Sequence, residues 1–181
     1  MGIYLKDMSL KGKTALITGA TKGLGRGAAE AIAEAGGDII AIGRNQSELN
    51  SLGKKIKKLK VKYISFNCDV NNYNKIKKFI TNLKKIDILV NNAGTNIPEA
   101  FLDVKKKSLE TILDVNTKAV FNIAQLCANQ IIKLKRKQGS IINISSIFGL
   151  VAGQKRTVYS MTKFGVEGLT KGMALDLAKF N

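Results

Sequence analysis

The 181-residue chain carries 30 basic residues, 13 acidic residues and no histidine, and 45% of its residues are apolar. This length and apolar content predict one domain with a hydrophobic core, and the two isolated cysteines, Cys68 and Cys127, exclude a disulfide framework and a zinc site. The net charge of +17 comes from scattered runs of lysine without interleaved aromatic residues, which predicts solvated helix ends and loops and no nucleic-acid partner. A functional anion-binding surface is the alternative.

The amino-terminal residues 1–10, MGIYLKDMSL, contain no long apolar run. A signal peptide and a membrane span both need such a run, so we expect neither of them. The prediction is a cytoplasmic protein without a membrane partner.

Short β-rich segments alternate along the chain with longer helical segments. Strands are predicted at 13–19, 38–43, 61–67, 86–92 and 140–145, and helices at 24–36, 46–58, 72–83, 108–135 and 158–179. Runs such as ALIT, IIAI and DILV within these segments are apolar throughout instead of alternating, which is typical of strands covered on both faces. Strand–helix alternation predicts an α/β fold with a parallel sheet and right-handed crossovers, in a single domain over residues 1–181.

A glycine-rich loop, TGATKGLG, joins the first predicted strand to the first predicted helix at residues 18–25. Gly19, Gly23 and Gly25 have a GxxxGxG spacing that lets the backbone approach a pyrophosphate, while the helix N-terminus supplies donors and a positive dipole. The alternative is a tight turn without a ligand. The position between a strand and a helix favours nucleotide binding.

Four further motifs follow this loop in chain order. They are NNAG at 91–94, Asn116 in DVNTKAVF, Ser146 in NISSIFG, and the pair Tyr159 and Lys163 in YSMTK. The ordered set resembles the short-chain dehydrogenase/reductase family over essentially the whole chain, including its 3-oxoacyl-acyl-carrier-protein reductases and gluconate dehydrogenases. The resemblance implies a Rossmann-like doubly wound parallel sheet with helices on both faces. Family members are longer, so we expect an NAD(P)-binding domain that is incomplete at its C-terminus and lacks the family's last strands.

The resemblance also implies a catalytic role for each of these side chains. Tyr159 would exchange a proton with a carbonyl or alcohol oxygen, and Lys163, one helical turn away, would favour the phenolate and bind the nicotinamide ribose. Ser146 would hydrogen-bond the substrate oxygen, and Asn116 would position a water in the proton path. Ser145 is the competing serine, but the family's spacing to the tyrosine favours Ser146. Taken alone, the tyrosine and the lysine would also suit a buried ring and a solvated charge.

The end of the second predicted strand indicates which dinucleotide is bound. Gly43, Arg44 and Asn45 include no carboxylate that could accept bonds from the ribose hydroxyls of NAD, and Asp38 lies at the other end of the strand. Arg44 and Lys22 can instead pair with a 2′-phosphate, which predicts NADP in preference to NAD, unless Arg44 is only a surface residue. By resemblance, the cofactor-binding residues are Gly19, Thr21, Lys22, Gly23, Leu24, Gly25, Arg44, Asp69, Val70, Asn91, Ala93, Gly94, Tyr159 and Lys163.

These motifs predict an NADP-dependent oxidoreductase that interconverts a small ketone and a secondary alcohol, without a metal. A nucleotide-binding module, or a fragment without turnover, is the alternative. Lys155 and Arg156 precede Tyr159 and either contact an anionic substrate, such as a sugar acid or an acyl group on an acidic carrier, or are simply solvated. The two longest predicted helices resemble those that join family subunits into a homodimer or homotetramer. The interface positions expected on them are Val120, Phe121, Phe164 and Leu169.

Overall fold

The computed structural model describes residues 8–136 and 138–180. The predictions that rest on the first seven residues, the absence of a signal peptide among them, lie outside the described residues. The strands are β1 Thr14–Thr18, β2 Asp38–Gly43, β3 Tyr63–Asn67, β4 Ile88–Asn91 and β5 Ser140–Asn143. The helices are α1 Gly23–Glu34, α2 Gln46–Lys57, α3 Tyr73–Thr81, α4 Lys106–Leu113, α5 Ala119–Lys133 and α6 Thr157–Leu177.

The five strands form one sheet in the order β3-β2-β1-β4-β5, and every neighbouring pair is parallel. The strand order reverses at β1, which lies between β2 and β4. Ligands of open α/β sheets bind at this kind of reversal, outside the carboxyl ends of the strands. The prediction of a Rossmann-like doubly wound parallel sheet is confirmed.

Apolar side chains fill both faces of the central strands. Leu16 and Leu89 point to a core layer formed with α3 and α5, whereas Ile17 and Val90 point to a layer formed with α1 and α2. Consecutive residues of a strand point to opposite faces, so a strand covered on both sides must be apolar at every position. This requirement explains the uninterrupted apolar runs of β1, β2 and β4 and confirms the prediction of helices on both faces.

The helix predicted at 108–135 is built from three pieces. A π-helical turn at Asp114–Lys118 separates α4 from α5, and it contains the buried Asn116. Such turns insert one residue into a helix and are frequent at functional sites. None of the helices in the described ranges is both long and apolar enough to cross a membrane.

Candidate active site

The glycine loop has the backbone conformations that its sequence predicts. Gly19 and Gly23 have φ angles of 65° and 56°, in the region that favours glycine. A Cβ on Gly25 would collide with the carbonyl of Gly19 and the side-chain amide of Asn92. Lys22 precedes α1 and makes no side-chain cap, so no capping side chain takes up the first N–H groups of α1. The loop therefore presents backbone donors of the kind that bind a pyrophosphate.

Asn92 of the NNAG motif fastens this loop to the end of β4. Its Nδ2 donates to the Thr18 carbonyl over 3.0 Å and to the Gly19 carbonyl over 3.3 Å. In return, the hydroxyl oxygen of Thr18 accepts from the backbone N–H groups of Asn92 and Ala93, both at 3.0 Å. No role was predicted for Asn92 or Thr18. Both residues stand in motifs at the end of an apolar strand, but their contacts with each other are made only in the fold.

Asn91 requires a correction. Its side chain is 3% exposed, and its Nδ2 donates to the Val120 carbonyl over 2.8 Å and to Asn143 Oδ1 over 3.2 Å. The side chain therefore lies against α5 and β5, and not on the cleft wall where the resemblance placed it. Two adjacent asparagines at a strand end point to opposite faces, and the cleft side belongs to Asn92.

A cleft of about 890 Å³ opens at the carboxyl ends of the strands. Its lining includes these predicted cofactor residues: Gly19, Thr21, Lys22, Gly23, Leu24, Arg44, Asp69, Val70, Ala93 and Gly94. Glu48, Asn92, Thr95 and Val115 also line it, although the sequence analysis did not select them. Ten of the predicted cofactor residues thus lie together around one volume that joins the glycine loop to the end of β2, whereas Gly25, Asn91, Tyr159 and Lys163 are not among its lining residues.

Both carboxylates that line the cleft near the end of β2 are paired with an arginine. Arg44 is 80% exposed, and its NH1 lies 3.6 Å from Asp69 Oδ2. Glu48 accepts from Arg26 over 3.1 Å, and Arg26 also contacts Glu30. Hydrogen bonding to Lys55, aided by Arg26, holds the pKa of Glu30 below its usual value. The corner at 43–45 lacks a carboxylate as predicted, but two carboxylates from further along the chain line the same end of the cleft.

Tyr159 and Lys163 lie one turn apart near the start of α6. Lys163 is 5% exposed, its Nζ donates to the Ile144 carbonyl over 2.7 Å, and burial lowers its pKa. The same Nζ lies 5.7 Å from the centroid of the Tyr159 ring, which also meets Phe148 edge-on. A Cβ on Gly94 would lie 4.0 Å from Lys163 Nζ, so the ammonium adjoins the wall of the cleft.

The two serines after β5 occupy different environments. Ser146 Oγ accepts from the N–H of Phe148 over 3.2 Å, an arrangement that leaves its hydroxyl proton available for another acceptor. Ser145 Oγ instead donates to the main-chain carbonyl of Lys163 over 3.4 Å. Ser146 is therefore the serine whose proton remains available to a substrate oxygen.

Asn116 connects three segments of the site. Its Nδ2 donates to the Thr95 carbonyl over 2.9 Å and to Thr162 Oγ1 over 3.3 Å, and its Oδ1 accepts from the Thr95 N–H over 2.8 Å. Thr162 in turn donates to the Tyr159 carbonyl over 2.7 Å. Both amide protons of Asn116 are bound within the protein, so its side chain has no donor left for a water. Thr95 and Thr162 had no signal in the sequence, because their contacts are made only across the fold.

Comparison with known proteins gives a consistent result. A family model described as short chain dehydrogenase matches residues 13–181. The 3-oxoacyl-acyl-carrier-protein reductase FabG of Thermotoga maritima is 35% identical over 178 residues, which cover 96% of this chain and 72% of that protein. The 2-dehydro-3-deoxy-D-gluconate 5-dehydrogenase of Bacillus subtilis is 38% identical over 179 residues, which cover 97% of this chain and 69% of that protein.

Solved structures share the fold. A short-chain type dehydrogenase/reductase from Mycobacterium marinum has a TM-score of 0.90 at 33% identity and covers 96% of this chain and 72% of its own. A gluconate 5-dehydrogenase from Burkholderia cenocepacia J2315, in complex with NADP and tartrate, has a TM-score of 0.88 at 32% identity. The match covers 96% of this chain and 69% of that one. Carveol dehydrogenase from Mycobacterium avium, in complex with NAD, has a TM-score of 0.88 at 26% identity. The match covers 94% of this chain and 68% of that one. Because the family match runs through the glycine loop and every later motif, the chain belongs to the short-chain dehydrogenase/reductase family of NAD(P)-dependent oxidoreductases.

Proposed function

We propose that the chain binds NADP and interconverts a ketone and a secondary alcohol, with residues 1–181 forming one dinucleotide-binding domain. The observation that carries this proposal is the position of Gly94. It lines the dinucleotide cleft, and a Cβ built on it would lie 3.5 Å from Asn116 Oδ1 and 4.0 Å from Lys163 Nζ. A ligand that fills the cleft along this wall would reach the side chains that handle protons.

The donor set of the cleft fits a dinucleotide. The glycine loop lacks Cβ atoms where a pyrophosphate would approach, and the N–H groups of α1 open toward the same place. When bound, the nicotinamide supplies or accepts the hydride of the reaction. The chain itself must bind and orient the reactants and move the proton.

The proton step belongs to Tyr159. In the reducing direction its hydroxyl donates to the carbonyl oxygen as that oxygen gains negative charge, and in the oxidising direction it accepts the alcohol proton. Ser146 can donate a second hydrogen bond to the same oxygen, because its own hydroxyl oxygen already accepts from Phe148. Lys163 Nζ lies 5.7 Å from the centroid of the tyrosine ring, so the pair can act on the same ligand.

The choice of NADP is supported by Arg44 and Lys22, which both line the cleft. A planar guanidinium pairs with phosphate oxygens through two hydrogen bonds, and a lysine adds a point charge. The fold does not decide between the two dinucleotides, since proteins in complex with NADP and with NAD resemble this chain at the same TM-score. The preference must therefore come from side chains such as these two.

For the substrate we propose a small carbonyl compound that bears an anionic group. Lys155 is exposed and Arg156 is half-buried in the segment that leads into α6, so both charges lie close in sequence to Tyr159. The relatives named above act, by their names, on a 3-oxoacyl group held on a carrier protein and on a sugar acid. Each of these substrates carries a negative charge, on the carrier or on the acid itself.

We further propose that the chain forms a homodimer or homotetramer through α5 and α6. Phe121 and Phe164 are 47% and 49% exposed on these helices, so each could contribute apolar area to an interface. Val120 is 4% exposed and packs inside the subunit, so its predicted role at the interface is wrong.

The test of this proposal separates binding from chemistry. NADPH fluorescence is titrated first, and turnover is then measured with a panel of anionic ketones. Tyr159→Phe should leave the NADPH affinity within about twofold and lower turnover by roughly 100-fold or more, the usual scale for losing a positioned proton donor. Tyr73→Phe, on the remote helix α3, is the matched control and should behave as wild type. Binding without turnover in the unmodified chain would favour a nucleotide-binding module, and full activity of Tyr159→Phe would contradict the assigned role.

A further inference from the structure

Two carboxylates line the cleft near the end of β2, and each of them pairs with a different arginine. Glu48 is held by Arg26, a residue of α1 that does not line the cleft. Asp69 is paired with Arg44, which does line it. The pair of Glu48 with Arg26 involves no cation that lines the cleft. The pair of Asp69 with Arg44 partly neutralises the cation that we assign to the 2′-phosphate.

The two members of the second pair differ in how firmly they are held. Asp69 Oδ1 accepts from the N–H of Asn71 over 2.9 Å, which fixes the carboxylate in a local turn at the end of β3. Arg44 is 80% exposed, and its NH1 lies 3.6 Å from the other carboxylate oxygen. The carboxylate is therefore the more constrained member of a weak ion pair, and Arg44 is the member that can move away from it.

We infer that Asp69 is a specificity-determining residue that weakens the preference for NADP by competing with the 2′-phosphate for Arg44. The inference rests on the proposed function, since it concerns the dinucleotide assigned to this cleft. A phosphate that arrives at Arg44 must displace the carboxylate of Asp69 from the guanidinium. A dinucleotide without the 2′-phosphate does not need Arg44, so the effect falls on NADP alone.

The size of the effect follows from the exposure of the pair. Exposed ion pairs are weak because water screens them, so the loss of this competition should change affinity by roughly three- to fivefold. The variant Asp69→Asn removes the charge and keeps an oxygen that can accept from Asn71. We expect the ratio of the NADH dissociation constant to the NADPH dissociation constant to rise by about this factor. The ratio is the readout, because a change that affects both dinucleotides equally cancels from it.

The experiment measures both dissociation constants by cofactor fluorescence, without turnover, for the wild type, Asp69→Asn and the control Asp176→Asn, an exposed carboxylate near the end of α6. Each variant is checked for a wild-type unfolding midpoint. The measurement is repeated in an Arg44→Gln background, where Asp69→Asn should change the ratio by less than about 1.5-fold, since no guanidinium remains to be released.

Two outcomes would overturn the inference while the proposed function stands. One is an unchanged or lowered ratio in Asp69→Asn, which would mean that the carboxylate positions Arg44 for the phosphate. The other is an equal rise of the ratio in the Arg44→Gln background, which would mean repulsion without competition. If the wild type bound neither dinucleotide, the proposed function would fail and this inference with it.

Discussion

Lys163 is buried in this site, although a charged ammonium group is better solvated by water. Lysine side chains are almost never fully buried unless they are paired, yet this one is 5% exposed and its hydrogen-bond partner is the neutral carbonyl of Ile144. Burial disfavours the ammonium and lowers the pKa of Lys163 from 10.5. Under the proposed function, this cost is offset by the role of the charge next to Tyr159.

The lowered pKa predicts a pH dependence of stability. The unfolded chain holds this proton to a higher pH than the folded protein does, so stability increases as the pH rises through the folded-state pKa toward 10.5. The free energy of unfolding of wild type, measured relative to Lys163→Met, should therefore be constant near pH 7 and increase toward pH 10.5. Urea unfolding over this range measures it, with Lys171→Met, exposed on the same helix, as the control. A constant difference up to pH 10.5 would contradict the effect of burial.

A second prediction at the scale of a single side chain concerns the contribution of Thr162 to the free energy of unfolding. Thr162→Val keeps the shape but leaves one buried amide proton of Asn116 without its acceptor, which should cost about 1–3 kcal/mol of unfolding free energy. Thr81→Val is the matched control, since Thr81 also donates to a carbonyl of its own helix but is exposed to water. It should lose less than about 0.5 kcal/mol. Equal losses in urea unfolding would mean that the contact with Asn116 contributes nothing.

At the scale of elements, two glycines near the start of α1, Gly25 and Gly27, differ in the space around them. Gly25 has no room for a Cβ, whereas a Cβ on Gly27, two residues further along α1, would meet no atom within 4 Å. Gly25→Ala should destabilise the fold by about 1–3 kcal/mol through overpacking and should weaken NADPH binding by distorting the loop. Gly27→Ala should instead stabilise the fold by roughly 0.5–1 kcal/mol, the gain of alanine over glycine in a helix. Urea unfolding and an NADPH titration of both variants test this, and similar behaviour of the two would refute it.

The same elements show which parts of the structure could be predicted from the sequence. Strands β1, β2 and β4 were predictable because burial on both faces requires apolar residues at every position. Strand β5 ends at Asn143, two residues earlier than predicted, although the N–H of Ile144 still donates to the Asn91 carbonyl over 3.0 Å. The π-helical turn was not predictable, because the residues that bind Asn116 are Thr95 and Thr162, which are distant in sequence. Catalytic candidates could be selected from local motifs, whereas Thr18, Asn92 and Thr162 act through contacts that only the fold brings together.

At the scale of the whole molecule, the exposed aromatic residues of α5 and α6 contrast with a surface that is otherwise rich in lysine. The chain has thirty basic and thirteen acidic residues, so two copies repel each other at long range. Association therefore requires a contact surface whose apolar area outweighs this repulsion. Phe121 and Phe164 supply apolar surface of this kind. The net charge thus limits where two copies can associate.

This arrangement predicts how association responds to mutation. Phe121→Ser and Phe164→Ser should each shift the particle toward the monomer mass in light scattering, because they replace apolar contact area with a polar group. Tyr73→Ser, which changes an exposed aromatic residue on α3, is the control and should leave the mass unchanged. Added salt should favour the larger particle by screening the lysines. A monomer at all salt concentrations would argue against an interface on these helices.

The hydrogen bonds between Asn92, Thr18 and Gly19 have a consequence for the kinetics of binding. They order the glycine loop before any ligand arrives, so the conformational entropy of this segment is already lost in the free protein. Association should then be a single step whose observed rate rises linearly with dinucleotide concentration, without the plateau that a slow loop rearrangement would impose. Asn92→Ala would release the loop and make the approach to equilibrium biphasic, while the dissociation constant would rise because each binding event would have to order the loop again.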